Sequence, residues 1–243
     1  MRIGIVSDIH ANLEALEACL RALEKKGIDT LVCLGDVVGY GGQPDECCDR
    51  IRALAEFTVL GNHDAAVAGR MDYSFYRAAA RHALDRHAQM LSDQNRAWLA
   101  DLPYLHRSGD LAFCHGSPLA LEDFDYIFVI EQMRDVVAAH AEQAPVTFIG
   151  HSHLCKSFAY TETSAEEVLH TRFATDTARK YIITAGSVGQ PRDYDPRACC
   201  GIFDTQTRQF EYLRVPYDIE AAARKIFAAD LSVAFGKRLF LGV

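Results

Sequence analysis

Five of the ten histidines in this 243-residue chain stand in short polar motifs placed directly behind apolar runs. They are His10 in "SDIH" (7–10), His63 in "GNHD" (61–64), His115 after "LAFC" (111–114), and His151 with His153 in "GHSHLCKS" (150–157). Asp8 belongs to the first motif, Asn62 and Asp64 to the second, and Asp36 to "GDVVGYGG" (35–42). Imidazole nitrogens with carboxylate oxygens are the donor set of borderline divalent metals such as manganese, iron, zinc or cobalt. Cysteine would turn such a site towards soft-metal or structural use, and none stands among these ligand candidates. Two such ions held close together can lower the pKa of a shared water and bind phosphoryl oxygens. Each motif also has a plain reading: Asp8 as a helix cap, His10 as a loop residue, Gly35-Asp36 as a turn. All of them in this order are much harder to explain that way.

The elements that must position these side chains alternate. "RIGIV" (2–6) reads as a buried strand, and "NLEALEACLRALEKKG" as a helix with Asn12 at its N-cap and Gly27 beyond its C-terminus. Strand 30–34, a helix from Pro44 to Leu54 and strand 57–60 follow, so the first third predicts parallel α/β architecture. Residues 65–102 read as helical, strands return at 111–114, 146–149 and 181–185, and a helix is expected near 130–142. "CCGIFDTQTRQFEYLRV" predicts a hairpin turning near 204–207, then a helix near 218–230. In an open α/β sheet, ligands bind at the carboxyl ends of the strands. Five strands here end in residues able to bind metal, and parallel strands would bring them to one edge.

The remaining bounds are broad. No repeat, low-complexity tract or linker divides the chain, so residues 1–243 are expected to form a single domain. A net charge of −8 gives no reason to bind nucleic acid broadly, and a phosphate-bearing ligand would need a local positive centre. Eight cysteines without a CxxC pair, no secretory signature and no membrane-length apolar run predict a soluble, reduced, cytoplasmic protein. The apolar tail "LSVAFGKRLFLGV" reads as packing on its own core, with a homo-oligomer contact as the sharper alternative. The acidic stretch 162–170 reads as a solvated loop beside the site, with a lid as the alternative.

The motif order D-x-H, GD, GNH[DE], H, GHxH, running from Asp8 to Arg192, resembles that of the calcineurin-like metallophosphoesterase superfamily. "GDVVGYGG" and "GSVGQPRD" (186–193) are similar to its small prokaryotic phosphodiesterase-type branch rather than to the protein phosphatases. The resemblance implies an α/β fold in which two mixed sheets pack as a sandwich flanked by helices, with a dinuclear site on one edge. It makes Asp8, His10 and His153 ligands of one metal, Asn62, His115 and His151 ligands of the other, and Asp36 the bridge. Four cationic charges against the two aspartates would leave a net of about +2, the positive centre that the acidic surface lacks.

The same resemblance implies attack on phosphorus by a metal-activated hydroxide, with His63 protonating the leaving oxygen. The other reading of His63 is a residue that merely orients the metal site. Arg192 is the candidate phosphate clamp, since a guanidinium fork matches phosphate geometry, against an ion pair with Asp193 or Asp195. Tyr40 either lines the mouth of the pocket or packs within its loop. Protein phosphatases carry Asp and Arg where this chain has Gly39 and Tyr40, so their role is disfavoured and Asp64 becomes the candidate for orienting His63. The predicted activity is hydrolysis of small phosphodiester or nucleotide substrates with two divalent transition-metal ions, manganese foremost. The alternatives are a nuclease on single-stranded nucleic acid, for which no basic stripe exists, and a non-catalytic scaffold, which in relatives has lost the acid histidine retained here.

Overall fold

The computed structural model describes all of residues 1–243. Twelve strands occur in chain order: β1 (Arg2–Val6), β2 (Thr30–Cys33), β3 (Phe57–Thr58), β4 (Leu105–Ser108), β5 (Leu111–Cys114), β6 (Val146–Ile149), β7 (Ser157–Tyr160), β8 (Ala165–Glu167), β9 (Arg172–Ala174), β10 (Lys180–Thr184), β11 (Ala198–Asp204) and β12 (Gln209–Val215). The helices are α1 (Leu13–Lys25), α2 (Pro44–Leu54), α3 (Asn62–Val67), α4 (Ala78–Met90), α5 (Asp93–Asp101), α6 (Met133–Ala138), α7 (Ile219–Ala228) and α8 (Val233–Leu241). No helix is long and apolar enough to cross a membrane.

The strands form two six-stranded sheets, ordered β3-β2-β1-β11-β12-β9 and β4-β5-β6-β10-β7-β8. Both are mixed. β1, β2 and β3 run parallel while β11 pairs antiparallel to β1, and β5, β6 and β10 run parallel between antiparallel neighbours. Ile3, Ile5 and Val32 of the first sheet meet Phe113, Phe148 and Ile183 of the second in one buried core. On the outer face of the first sheet, α1 buries Leu16, Cys19 and Leu23 against Val6, Cys33 and Ile202. On the outer face of the second, Met133 and Val136 of α6 cover Ile149, Phe158 and Ile182. The result is the expected sandwich with helices on both sides, and strands buried on both faces explain why the sequence runs are apolar throughout rather than alternating.

Local chemistry explains most boundaries. Asn12 caps α1 by accepting from the Ala15 N–H at 3.1 Å, and Gly27 follows the helix at φ +65°. β3 stops two residues short of expectation because the Leu60 N–H leaves the sheet to donate to the Pro103 carbonyl. The helix expected over 130–142 is broken into a 3₁₀ turn, α6 and a second 3₁₀ turn, where Ala139 departs from helical geometry. The stretch 162–170 is corrected from a loop: its centre is β8, an edge strand whose Glu166 and Glu167 pair with Arg179 and Lys156. The tail folds as α8, burying Phe235 and Leu239 against Ala83 and Ile226 and leaving Phe240 and Leu241 exposed.

Candidate metal centre

The loops behind β1, β2, β3, β5 and β6 converge where the carboxyl ends of parallel strands from both sheets meet. The convergence spans the sandwich edge rather than one open sheet. Three groups of buried donor atoms lie within 4.8 Å of one another: Asp8, His10 and His153; His10, Asp36 and His63; and Asp36, His115 and His151. The first brings together the three residues of one expected ligand set, and the third joins His115 and His151 of the other to Asp36. Asn62 closes on the third, its Oδ1 lying 3.1 Å from His115 Nε2. One oxygen of Asp36 reaches both sides, 3.7 Å from His10 Nε2 and 3.4 Å from His115 Nε2.

The main chain decides which ring nitrogen faces the centre. His10 Nδ1 donates to the Val38 carbonyl at 2.9 Å, His115 Nδ1 to Leu34 at 2.6 Å and His153 Nδ1 to Gln190 at 2.6 Å. A carbonyl can only accept, so each Nδ1 carries the proton and each Nε2 turns inward. His10 Nε2 then faces His153 Nε2 at 3.0 Å, and His153 Nε2 faces Asp8 Oδ1 at 3.3 Å. Asp8 Oδ2 accepts from Ser7 Oγ and the His151 N–H, whereas its buried Oδ1 has no hydrogen-bond partner. Acceptors turned towards one another in a buried space repel unless a cation lies among them, so this donor set fits metal ions.

Electrostatics agrees with that fit. Burial holds His10, His151 and His153 well below the ordinary histidine range, keeping them neutral. Burial pushes Asp8 up to about 7. Burial likewise opposes charge on Asp36, but the positive charge of His115 beside it outweighs burial and keeps the carboxylate ionised. Asp36 in turn lifts His115 to about 9 against burial, so a cation at His115 Nε2 would compete with one proton.

The backbone is strained where the donors are placed. Asp8, His10, Asp36, His151 and His153 all have φ between 48° and 66°. That left-handed region costs a non-glycine residue on the order of 1 kcal/mol. Gly150 answers why a glycine precedes His151: a methyl group there would overlap Ser7 Oγ and sit 2.7 Å from Asp8 Oδ2.

His63 lies against this centre, buried between His10 (ring centroids 4.9 Å) and Tyr40 (4.5 Å). A Cβ on Gly39 would overlap its Nδ1, so that nitrogen is pressed to the backbone and Nε2 is left for the site. Burial lowers the ring to about 4. Asp64 does not reach the His63 ring. Its two oxygens accept from the Val38 N–H at 3.1 Å and the Gly61 N–H at 3.2 Å, clamping the loops that carry Asp36 and Asn62.

Arg192 faces the centre. Asp193 pairs with Arg214 and Asp195 with Arg197, so neither takes the Arg192 guanidinium. That guanidinium lies 5.8 Å from the Tyr40 ring centroid, its buried Nε is without a partner, and its charge depresses His153 and His10. Tyr40 is among the residues lining the cavity and packs on Phe235 of α8 at 4.9 Å, rather than within its own loop.

A cavity of about 610 Å³ opens from the centre, with Asn62, His63 and His151 in its wall. Its other walls come from the start of α4, the loop 123–126 and α8, bringing Arg77, Phe75, Tyr126 and Arg238, none of which the sequence marks. They occupy no motif, and α8 gives only a generic amphipathic signal. His87 was also missed. It is buried on α4, accepting from the Gly39 N–H and donating to the Gly41 carbonyl, both at 2.9 Å. His82, five residues earlier, is exposed on another face.

Comparison with known proteins follows the same lines. A family model described as the calcineurin-like phosphoesterase superfamily domain matches residues 1–208. The crystal structure of a metallophosphoesterase from Sphaerobacter thermophilus is similar at a TM-score of 0.84 and 34% identity, covering 100% of this chain and 99% of that one. An uncharacterized protein of Methanocaldococcus jannaschii is 36% identical over 244 residues, 99% of this chain and 98% of its own. A symmetrical bis(5'-nucleosyl)-tetraphosphatase of Methylococcus capsulatus is 34% identical over 121 residues, 46% of this chain and 41% of its own.

Proposed function

This chain belongs to the calcineurin-like phosphoesterase superfamily, and from that premise we propose that it hydrolyses small phosphodiester or nucleotide substrates with two divalent cations, manganese foremost. The observation that carries the reading is the ring of inward-facing acceptors, with Asp8 Oδ1 unpartnered and one Asp36 oxygen between His10 and His115. Asp8, His10 and His153 would hold one ion, Asn62, His115 and His151 the other, with Asp36 shared. The ions, when bound, supply an acidified water and positive charge for the phosphoryl oxygens.

The chain's own groups do the rest. The Nδ1–H bonds of His10, His115 and His153 to backbone carbonyls fix the direction of their Nε2 atoms. Arg192, free of carboxylate partners, grips a phosphoryl oxygen from the Tyr40 side. His63 carries the proton at Nε2 and passes it to the leaving oxygen. An anion beside the ring raises its proton affinity from the low value that burial imposes. The partial likeness to a bis(5'-nucleosyl)-tetraphosphatase supports nucleotides among the substrates. The pocket wall supplied by α8 supports reading residues 1–243 as one catalytic unit. Eight free thiols support a reducing, cytoplasmic setting.

The test is turnover of bis-p-nitrophenyl phosphate with manganese, in wild type and in Asp36→Asn, with metal content measured on the same samples. Hydrolysis that is abolished by chelation and by the substitution is expected. Turnover that survives both sinks the reading.

A further inference from the structure

The metal centre accounts for one phosphoryl group, whereas the adjoining cavity has the size of a small-molecule site. Its walls are chemically mixed in a specific way. Arg77 and Arg238 line it, and Arg192 stands close enough that both neighbours lower the Arg238 guanidinium through like charge, after burial. No carboxylate lies within 4.0 Å of these three side chains, although the protein is acidic overall and the nearby Arg197 and Arg214 are paired. Unpaired cations held together repel one another, a cost that a bound anion removes.

Two further features point the same way. Arg77 is the N-cap of α4, a 13-residue helix with no side-chain cap and no acidic residue in its first turn, and Ala79 and Ala80 of that turn line the cavity. The first N–H groups of the helix and its positive end therefore add to the arginines. Phe75 is 71% exposed and Tyr126 44% exposed at the cavity rim, and Tyr126 stacks on His151 with ring centroids 3.9 Å apart. Exposed aromatic faces beside cations suit a planar base attached to phosphate. Asp123 and Asp125 also line the cavity and suit hydroxyl donors such as those of ribose rather than phosphate.

We propose that this pocket receives the leaving half of the substrate and that this half is a nucleotide, its base against Phe75 and Tyr126 and its own phosphate on Arg77 and Arg238. The assignment rests on the phosphoesterase reading above for its direction: His63, the proton donor to the leaving oxygen, is itself in the cavity wall. Water oxygen bonds to phosphorus, the bond from phosphorus to the nucleotide's oxygen breaks, and the His63 proton ends on that oxygen. The substrate class is thus a phosphodiester or phosphoanhydride of a nucleotide. Arg238 belongs to α8, beyond the residues 1–208 that the family model matches.

Calorimetric titration of the manganese-loaded protein with ADP, adenosine and inorganic phosphate tests it. ADP is expected to bind at least about tenfold more tightly than either fragment. The double variant Arg77→Gln/Arg238→Gln should lose about tenfold or more of that affinity while Arg77→Lys/Arg238→Lys retains part of it, with thermal melts confirming that both variants fold. ADP affinity unchanged in the glutamine variant, or adenosine binding as well as ADP, would overturn the assignment. Asp36→Asn separates the two readings. ADP binding that persists while the parent protein shows no hydrolysis defeats the catalytic reading and leaves the pocket standing, and hydrolysis without ADP selectivity does the reverse.

Discussion

His10, His115 and His153 each donate a ring N–H to a main-chain carbonyl, whereas Arg77, Arg192 and Arg238, just across Asn62 and His63, have no carboxylate partner at all. The centre is built from buried groups whose orientation the backbone dictates, on loops bent into left-handed geometry. The pocket is built from helix ends and a loop, with exposed rings and free cations. Rigid placement serves a reaction whose atoms must be aligned to a fraction of an ångström, while unpaired groups keep their hydrogen-bonding capacity for a ligand. His63 stands in both regions.

The largest expected effect falls on that shared residue. His63→Ala should lower kcat for bis-p-nitrophenyl phosphate by about 10²–10⁴-fold, the range of general acid catalysis, with bound metal retained. Rate and metal content measured together decide it. If metal is lost along with activity, His63 belongs to the centre as a ligand, consistent with its place in one of the three donor groups.

This contrast also explains what the sequence revealed. The donors of the centre are legible because each must follow a strand directly: Asp8 after β1, His115 after β5, His151 after β6. The short-range requirement leaves a written motif. Arg77, Phe75 and Arg238 come to the pocket through the packing of α4 against α7 and α8, which Ala83, Ala222 and Phe235 bring about with ordinary core chemistry. No spacing records such a meeting. Asp64 was legible as a residue but not as a role, since its bonds to Val38 and Gly61 depend on how two loops fold over each other. β8 went unread because its three residues carry no alternating pattern and gain their partner only through β7.

His87 links the two regions, and pH should expose the link. Its Nδ1 accepts from the Gly39 N–H, so a proton there would break the bond that holds the loop beneath His63 and Tyr40. Burial lowers its pKa from the ordinary 6.5 to about 4. Between these values the unfolded chain binds the extra proton and the folded chain does not, so stability falls as pH drops through that window. Above about pH 6.5 the contribution is complete; below about pH 4 nothing further is lost from this group. The full loss is about 3 kcal/mol. Denaturant melts across this range should show a steeper acid-side decline in wild type than in His87→Gln, and parallel curves would rule the link out.

Gly150→Ala probes the tightness of the centre alone. The added methyl would press on Ser7 and Asp8, so a destabilisation of about 1–3 kcal/mol is expected, with weakened metal binding. A matching change at Gly69, φ +73° but with nothing within 4 Å, should carry only the backbone cost and leave metal affinity alone. Equal metal affinity in both variants would mean that the loop yields easily and that the centre is less rigid than its hydrogen bonds indicate.

Phe75→Ala gives the smallest effect and the sharpest reading of the pocket. The ring is mostly exposed, with Tyr76 as its aromatic neighbour at 5.0 Å between centroids, and it belongs to no buried cluster, so its loss leaves the core untouched. A base stacked on it gains about 0.5–1.5 kcal/mol, which predicts a KM for a nucleotide ester raised roughly 2- to 10-fold. An alkyl phosphodiester has no planar group to stack and should respond less. The difference between the two substrates is the quantity to measure, because a general disturbance of the mouth would raise both alike. If they rise together, Phe75 shapes the entrance without recognising a base. The contrast between a fixed centre and a ligand-completed pocket would then rest on the arginines alone.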